Sequence, residues 1–238
     1  PKGALVAVHL PASYTDSDQD VLFAGLARAA KRWGCPIVGG NVSRAPTLVL
    51  TTTVLGTTPR PLRRSGARPG DCVQVAGTLG AAALGLAAFL RGAEDEANRD
   101  AALEPFRRAF RDPEPKLAAG LLARGQATAA IDVSDGFVQD LGHLAKASGV
   151  TIALDPSLVD ALAFPLRAGA AALGIDGRHA VLHGGEDYAL VVTARELLPG
   201  FFPVGTVLAA DDFPVGTVLL GEVPVEGEGY DHLLATAR

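Results

Sequence analysis

The chain has 238 residues and a mass of 24.4 kDa, enough to bury a substantial core in one large domain or one and a half smaller ones. Its formal charge of -5 and the lack of any long basic run argue against nucleic acid as a partner. The longest near-apolar run, residues 81–90, is too short to span a bilayer, and no signal peptide opens the sequence, so a cytoplasmic location is expected.

Hydrophobic residues make up 48% of the chain and aromatic ones only 5%, which points to a core of Ala, Leu, Val and Gly in a protein mixing helix and strand. Cys35 and Cys72 have neither metal-ligand spacing nor a nearby His partner. They are expected to be reduced and buried. Methionine is absent, the initiator included, so the sequence is expected to be part of a longer product. Its apolar opening, residues 4–10, reads as the continuation of something earlier.

In chain order, Ser17 or Asp18 can cap a helix whose residues Val21, Leu22, Leu26, Ala29, Ala30 and Trp33 share a face, with Gly34 as its stop. Residues 36–38 read as a buried strand running into Gly39-Gly40-Asn41. Paired glycines allow close backbone approach to a ligand and Asn41 offers an oxygen to a metal, although a tight turn explains the same residues. Residues 48–56 form a β-rich run. Between 57 and 70 the composition changes to Pro, Arg, Gly and Ser, which places a domain boundary there, with domains at 1–62 and 63–238. Arg63 and Arg64 could reach an anion from this segment.

A strand at 72–76 leads through Gly77-Thr78-Leu79-Gly80 into an Ala/Leu helix; such a turn can cradle phosphate or simply permit close packing. Residues 91–116 carry charges typical of a solvated face, and a helix follows at 116–124 with its stop at Gly125. Further on, residues 151–154 read as a strand and 166–173 as a helix. The heptad FPVGTVL occurs twice, at 202–208 and 213–219, too close together for a solenoid unit.

Two acidic motifs carry the chemistry. The run Ile131-Asp132-Val133-Ser134-Asp135-Gly136 follows a short apolar strand and precedes the amphipathic segment 137–148, which stops at Gly149. Two carboxylates and a hydroxyl therefore occupy a strand-to-helix turn. A helix N-terminus favours phosphate, whereas Asp132 and Asp135 repel it unless a divalent cation stands between, and hard oxygen donors suit magnesium. The same residues also fit a structural role, with Ser134 or Asp135 capping the helix and Asp132 serving the turn. The second motif, His183-Gly184-Gly185-Glu186-Asp187-Tyr188, combines a backbone nest, charge and an aromatic ring in one loop, and again capping or salt bridging is the alternative. No His, Ser and Asp constellation suggests a hydrolase triad.

Together with 38–44, 64–71, 77–80, 113–115, 140–144 and Gly229-Tyr230-Asp231-His232, these motifs resemble the thiamine-monophosphate kinases of the aminoimidazole ribonucleotide synthetase-like superfamily. The resemblance spans nearly the whole sequence, and its specific part is Gly-Gly-Glu-Asp-Tyr joined to Asp-x-Ser-Asp-Gly. It implies a two-domain α+β fold with an incomplete amino-terminal domain, residues 1–62 being the remaining ATP-binding and dimerisation part. It also implies phosphorylation of thiamine monophosphate to thiamine diphosphate by ATP, with magnesium as cofactor and a homodimer through amino-terminal sheets. Asp132, Asp135 and Asn41 would be metal ligands. Gly40, Asn41, Arg64 and Ser134 would contact ATP, and Glu186 and Tyr230 the thiamine substrate. Asn41 and Ala81 stand where the family usually has Asp, and its acidic magnesium-binding segment would precede Pro1. A nucleotide-binding paralogue without catalysis, or a superfamily enzyme with another acceptor, remains the alternative.

Overall fold

The computed structural model describes residues 1–91, 101–211, 213–227 and 229. The chain divides into two compact units, Pro1–Pro59 and Arg60–Arg238.

In the smaller unit, β1 (Gly3–Leu10) lies between β2 (Ile37–Arg44), parallel to it, and β3 (Val49–Leu55), antiparallel. Helix α1 (Asp16–Arg32) makes the crossover from β1 to β2, as a parallel pair requires. Alternation decides the faces of β1: Val6, Val8 and Leu10 turn inward and pack with Tyr14, Leu22 and Leu26. Thr15 caps α1, its hydroxyl accepting from Asp18 N–H while Asp18 accepts from Thr15 N–H, so the cap precedes the expected Ser17 or Asp18. Val21 and Ala29, expected on the apolar face, are exposed.

Two expectations for β2 are corrected. The strand is not buried: Ile37, Val38 and Val42 are exposed. Nor do Gly39, Gly40 and Asn41 form a turn after it; they continue the strand against β1. The reason is steric, because a Cβ on Gly40 would lie 1.9 Å from the Val6 carbonyl oxygen.

The larger unit is built on a mixed sheet. Its strands are β4 (Cys72–Ala76), β5 (Ala129–Asp132), β6 (Thr151–Leu154), β7 (Leu190–Ala194), β8 (Phe202–Leu208), β9 (Val218–Leu220) and β10 (Val223–Val225). Their order is β10-β9-β6-β8-β4-β7-β5, antiparallel except for the β6–β9 pair. The sheet is covered on both faces. On one, Val73, Val75, Ile131 and Val191 join the main core with Leu84 of α2 (Ala81–Leu90), Leu141 and Leu144 of α5 (Phe137–Ser148), and Val181. On the other, Ala76, Val192 and Ala194 pack with Ala123 of α4 (Leu117–Ala123) and with Leu198 and Phe201. Burial on both faces explains why these strands are almost continuously apolar. Among the buried polar exceptions, Gln74 of β4 is satisfied by donating to the Glu196 carbonyl (2.7 Å) and accepting from Leu198 N–H (2.8 Å).

Helix α5 ends where expected, at Gly149 in left-handed conformation (φ 71). Three short helices were not legible in the sequence: α3 (Glu104–Arg111), α6 (Pro156–Ala163) and α8 (Gly177–His183); α7 (Arg167–Leu173) follows a 3-10 turn at Phe164–Leu166. Asp155 caps α6 by accepting from Ser157 and Leu158 N–H, ahead of Pro156 in the first turn, and Asp176 caps α8. Both cysteines are free thiols, half-buried rather than fully buried. Among the described residues no single helix is long and apolar enough to cross a membrane.

Candidate active site

The two acidic motifs meet at one end of the larger sheet. There Ala76 of β4 pairs with Leu190 of β7, and Leu190 with Asp132 of β5. The chain leaves β5 through Val133-Ser134-Asp135-Gly136 and enters β7 from Gly184-Gly185-Glu186-Asp187-Tyr188. Backbone hydrogen bonds join these connections: Val133 N–H donates to the Ala189 carbonyl (2.9 Å), Glu186 N–H to that of Ser134 (2.8 Å), and Tyr188 N–H to that of Val133 (2.9 Å). The loops therefore prolong the β5–β7 ladder beyond its last regular pair. Gly185 is needed for the approach, since a Cβ there would stand 2.5 Å from the Ser134 carbonyl oxygen.

A buried carboxylate anchors each loop from inside. Asp140, in the first turn of α5, accepts from the N–H groups of Ser134 (2.9 Å) and Asp135 (3.2 Å). Burial raises its pKa above the ordinary carboxylate value, with those amides opposing the rise. The helix N-cap is Gly136, without a side-chain cap, so neither Ser134 nor Asp135 caps α5. In the second loop, buried Asp187 accepts from Gly80 N–H (2.6 Å) and Ala82 N–H (2.9 Å). It thereby fills the N-terminus of α2, where the Gly-Thr-Leu-Gly turn had left a phosphate cradle open. Burial pushes the Asp187 carboxyl up to about 6, against the pull of the Gly80, Ala81 and Ala82 amides and the Lys116 charge. Capping thus accounts for Asp187.

Glu186 is used differently. It and Tyr188 hold left-handed backbone, at φ 66 and 47, a conformation that costs a residue other than glycine on the order of 1–3 kcal/mol. Both are exposed while Asp187 between them is buried. The Tyr188 hydroxyl donates to Glu186 Oε2 at 3.1 Å. Its pKa is raised, first by burial and then by the charges of Glu186, Asp132 and Asp135. Asp132 is exposed, and Ser134 and Asp135 are half-buried.

The fold thus brings together Asp132, Ser134, Asp135 and Glu186. The backbone of the arginine pair runs beside β5: the Arg63 carbonyl accepts from Ala130 N–H (2.9 Å), two residues before Asp132, and the Arg64 carbonyl accepts from the Ser148 hydroxyl (3.2 Å) at the end of α5. Gly40 and Asn41 lie on β2 of the smaller unit. Tyr230 falls outside the described residues. Sequence reasoning missed Asp140 and Tyr188 as site-forming groups. Tyr188 stood in the second motif and Asp140 one helical turn after Gly136, but only the backbone path shows which way each faces.

Asp132 and Asp135 supply hard oxygen donors open to solvent. Among the described residues no group of three or more His, Cys, Asp or Glu side chains is arranged to hold a metal ion by itself. Magnesium is commonly held by one or two carboxylates, with waters and substrate phosphates completing its shell, so this donor set fits a cation shared with a phosphate ligand.

The family model described as AIR synthase related protein, N-terminal domain, matches residues 1–58. Thiamine-monophosphate kinase of Mycobacterium tuberculosis (strain CDC 1551 / Oshkosh) is 38% identical over 86% of this chain and 60% of its own length. The chain therefore spans less than two thirds of that relative. Thiamine-monophosphate kinase of Escherichia coli (strain K12) is 33% identical over 96% of this chain and 72% of its own length. The solved structure of AaThiL complexed with AMPPCP and TMP superposes with a TM-score of 0.86 at 30% identity, covering 98% of this chain and 74% of that one. Hydrogenase maturation protein HypE in complex with ATP, at 16% identity and a TM-score of 0.70 over 98% of this chain and 75% of that one, shares the fold.

Proposed function

The chain belongs to the thiamine-monophosphate kinase family, with its AIR-synthase-like fold, and from that premise we propose that it transfers the γ-phosphoryl group of ATP to thiamine monophosphate. A phosphate oxygen of thiamine monophosphate forms a bond to the γ-phosphorus, the bond from that phosphorus to the β,γ-bridging oxygen breaks, and ADP leaves. Such a transfer depends mainly on positioning and on charge compensation. The observation that carries the reading is the backbone-bonded pair of acidic loops, which brings the segments bearing Asp132, Asp135 and Glu186 side by side.

In this reading Asp132 and Asp135 would hold magnesium, and Asn41 of the smaller unit is a separate candidate oxygen donor to a metal. The bound cation neutralises phosphate charge. Ser134 and Arg64 contact ATP, and Gly40 lies beside the nucleotide. Glu186, oriented by the Tyr188 hydroxyl, contacts the thiamine substrate. The buried Asp140 and Asp187 keep both loops in register while substrates exchange. A homodimer is proposed through the smaller unit's sheet, whose strands β2 and β3 carry exposed Val38, Val42, Leu50 and Val54. A cytoplasmic location accords with the use of ATP.

Transfer of label tests the reaction. With ATP labelled in the γ-phosphoryl group, the purified protein should place the label in the terminal phosphate of thiamine diphosphate. Label released only as inorganic phosphate would remove the kinase assignment.

A further inference from the structure

A basic side chain stands at the acidic end of the larger sheet. Lys116 is the N-cap residue of α4 and is half-buried. Its stem lies over Gly77, where an added Cβ would come within 2.8 Å of Lys116 Cε. Gly77 directly follows Ala76, and Ala76, Leu190 and Asp132 are cross-strand neighbours in successive strands. Two strand spacings of about 4.8 Å put the Gly77 turn on the order of 10 Å from Asp132. The Lys116 charge is also felt by Asp187.

Among the described residues the Lys116 ammonium has no hydrogen-bond or ion-pair partner within 4 Å. Asp187 feels the Lys116 charge without an ion pair to it, and its two oxygens accept from the Gly80 and Ala82 amides. Those same bonds occupy the α2 N-terminus, so its amides are not free for a phosphate. An ammonium without a partner at this position suits an anion brought by a ligand.

We propose that Lys116 binds a phosphate oxygen of the reacting ligands, either the monophosphate of the acceptor or the polyphosphate of the nucleotide. This rests on the phosphoryl-transfer reading above. Lys116 then supplies a fixed positive charge on the Gly77 side of the site, facing ligands that the carboxylates alone would repel. The close contact with Gly77 holds the stem and so sets where the charge stands.

The test compares the purified wild-type protein with K116M and K116R. Binding of AMPPCP with magnesium, and of thiamine monophosphate, is titrated separately by calorimetry, alongside KM, kcat and the melting temperature. K116M should weaken one of the two ligands roughly tenfold or more, as expected for a lost hydrogen bond to a charged group, without lowering the melting temperature. K116R should recover most of that affinity, and the ligand affected identifies which phosphate Lys116 holds. Unchanged affinity for both ligands in K116M overturns the proposal, as does a fall in melting temperature with binding intact, which would make Lys116 only a counter-charge for Asp187. K116Q gives the same comparison if K116M does not fold. Because binding needs no turnover, a wild-type protein that binds ATP but forms no thiamine diphosphate removes the kinase reading while the Lys116 comparison is still decided on ATP affinity.

Discussion

Glu186 and Tyr188 adopt left-handed backbone on either side of Asp187, and this alternation gives three adjacent polar residues two different tasks. Asp187 turns inward to the amides of α2, and Glu186 and Tyr188 turn outward to the site. The acidic character of the loop was legible in the sequence, and so were Asp132 and Asp135, because an apolar strand and a periodic helix bracket them. The inward turn of Asp187 was not legible, since it depends on α2, whose sequence position is about a hundred residues away. A pH prediction follows. The folded-state pKa of Asp187, about 6, stands above the ordinary 3.8 of an unfolded carboxyl, so folding favours the protonated form. That contribution is complete below about pH 3.8 and is lost as pH rises through 6. Relative to Asp187→Asn, which cannot titrate, the wild type should lose up to about 3 kcal/mol of stability between roughly pH 4 and 7. Urea unfolding of both proteins across that range checks it, and a difference that does not vary with pH would contradict it.

At the level of elements, the repeated heptad shows how far local sequence decides structure. Its first copy is strand β8, where Gly205 lies so close to β6 that an added Cβ would meet the Ala153 carbonyl oxygen at 2.1 Å. In the second copy Gly216 is in a turn at φ 94, closed by Thr217 N–H donating to the Pro214 carbonyl (3.1 Å), and β9 begins only at Val218. Identical residues thus follow their partners rather than their own propensity. Gly205→Ala should destabilise the protein by about 1–3 kcal/mol through overpacking, seen as a lower midpoint in chemical unfolding. A midpoint equal to that of the wild type would show that β6 and β8 can separate without cost. The same dependence on partners explains β2, whose glycines read as a turn but serve close pairing with β1. Helix α5 was legible because its periodicity and Gly149 stop are local. Helices α6 and α8 were not: each is short, and their caps Asp155 and Asp176 precede segments without a clear apolar period.

On the scale of the whole molecule, the two units divide the proposed work. The larger supplies both acidic loops and, by its sheet order, brings Gly77, Tyr188 and Asp132 to one end. The smaller carries Gly40 and Asn41 on a strand. The family and fold were legible because the motifs lie in an order that survives in sequence. The path of Arg63 and Arg64 beside β5 was not, since it is set by hydrogen bonds from Ala130 N–H and the Ser148 hydroxyl. The most direct measurement is formation of thiamine diphosphate from ATP, magnesium and thiamine monophosphate by the wild type and by Asp135→Asn, with melting temperatures recorded for both. The wild type should form product, and Asp135→Asn should lose on the order of a hundredfold or more in kcat while melting at the same temperature. Product at the wild-type rate from Asp135→Asn, or none from the wild type, would contradict a phosphoryl-transfer site on this turn.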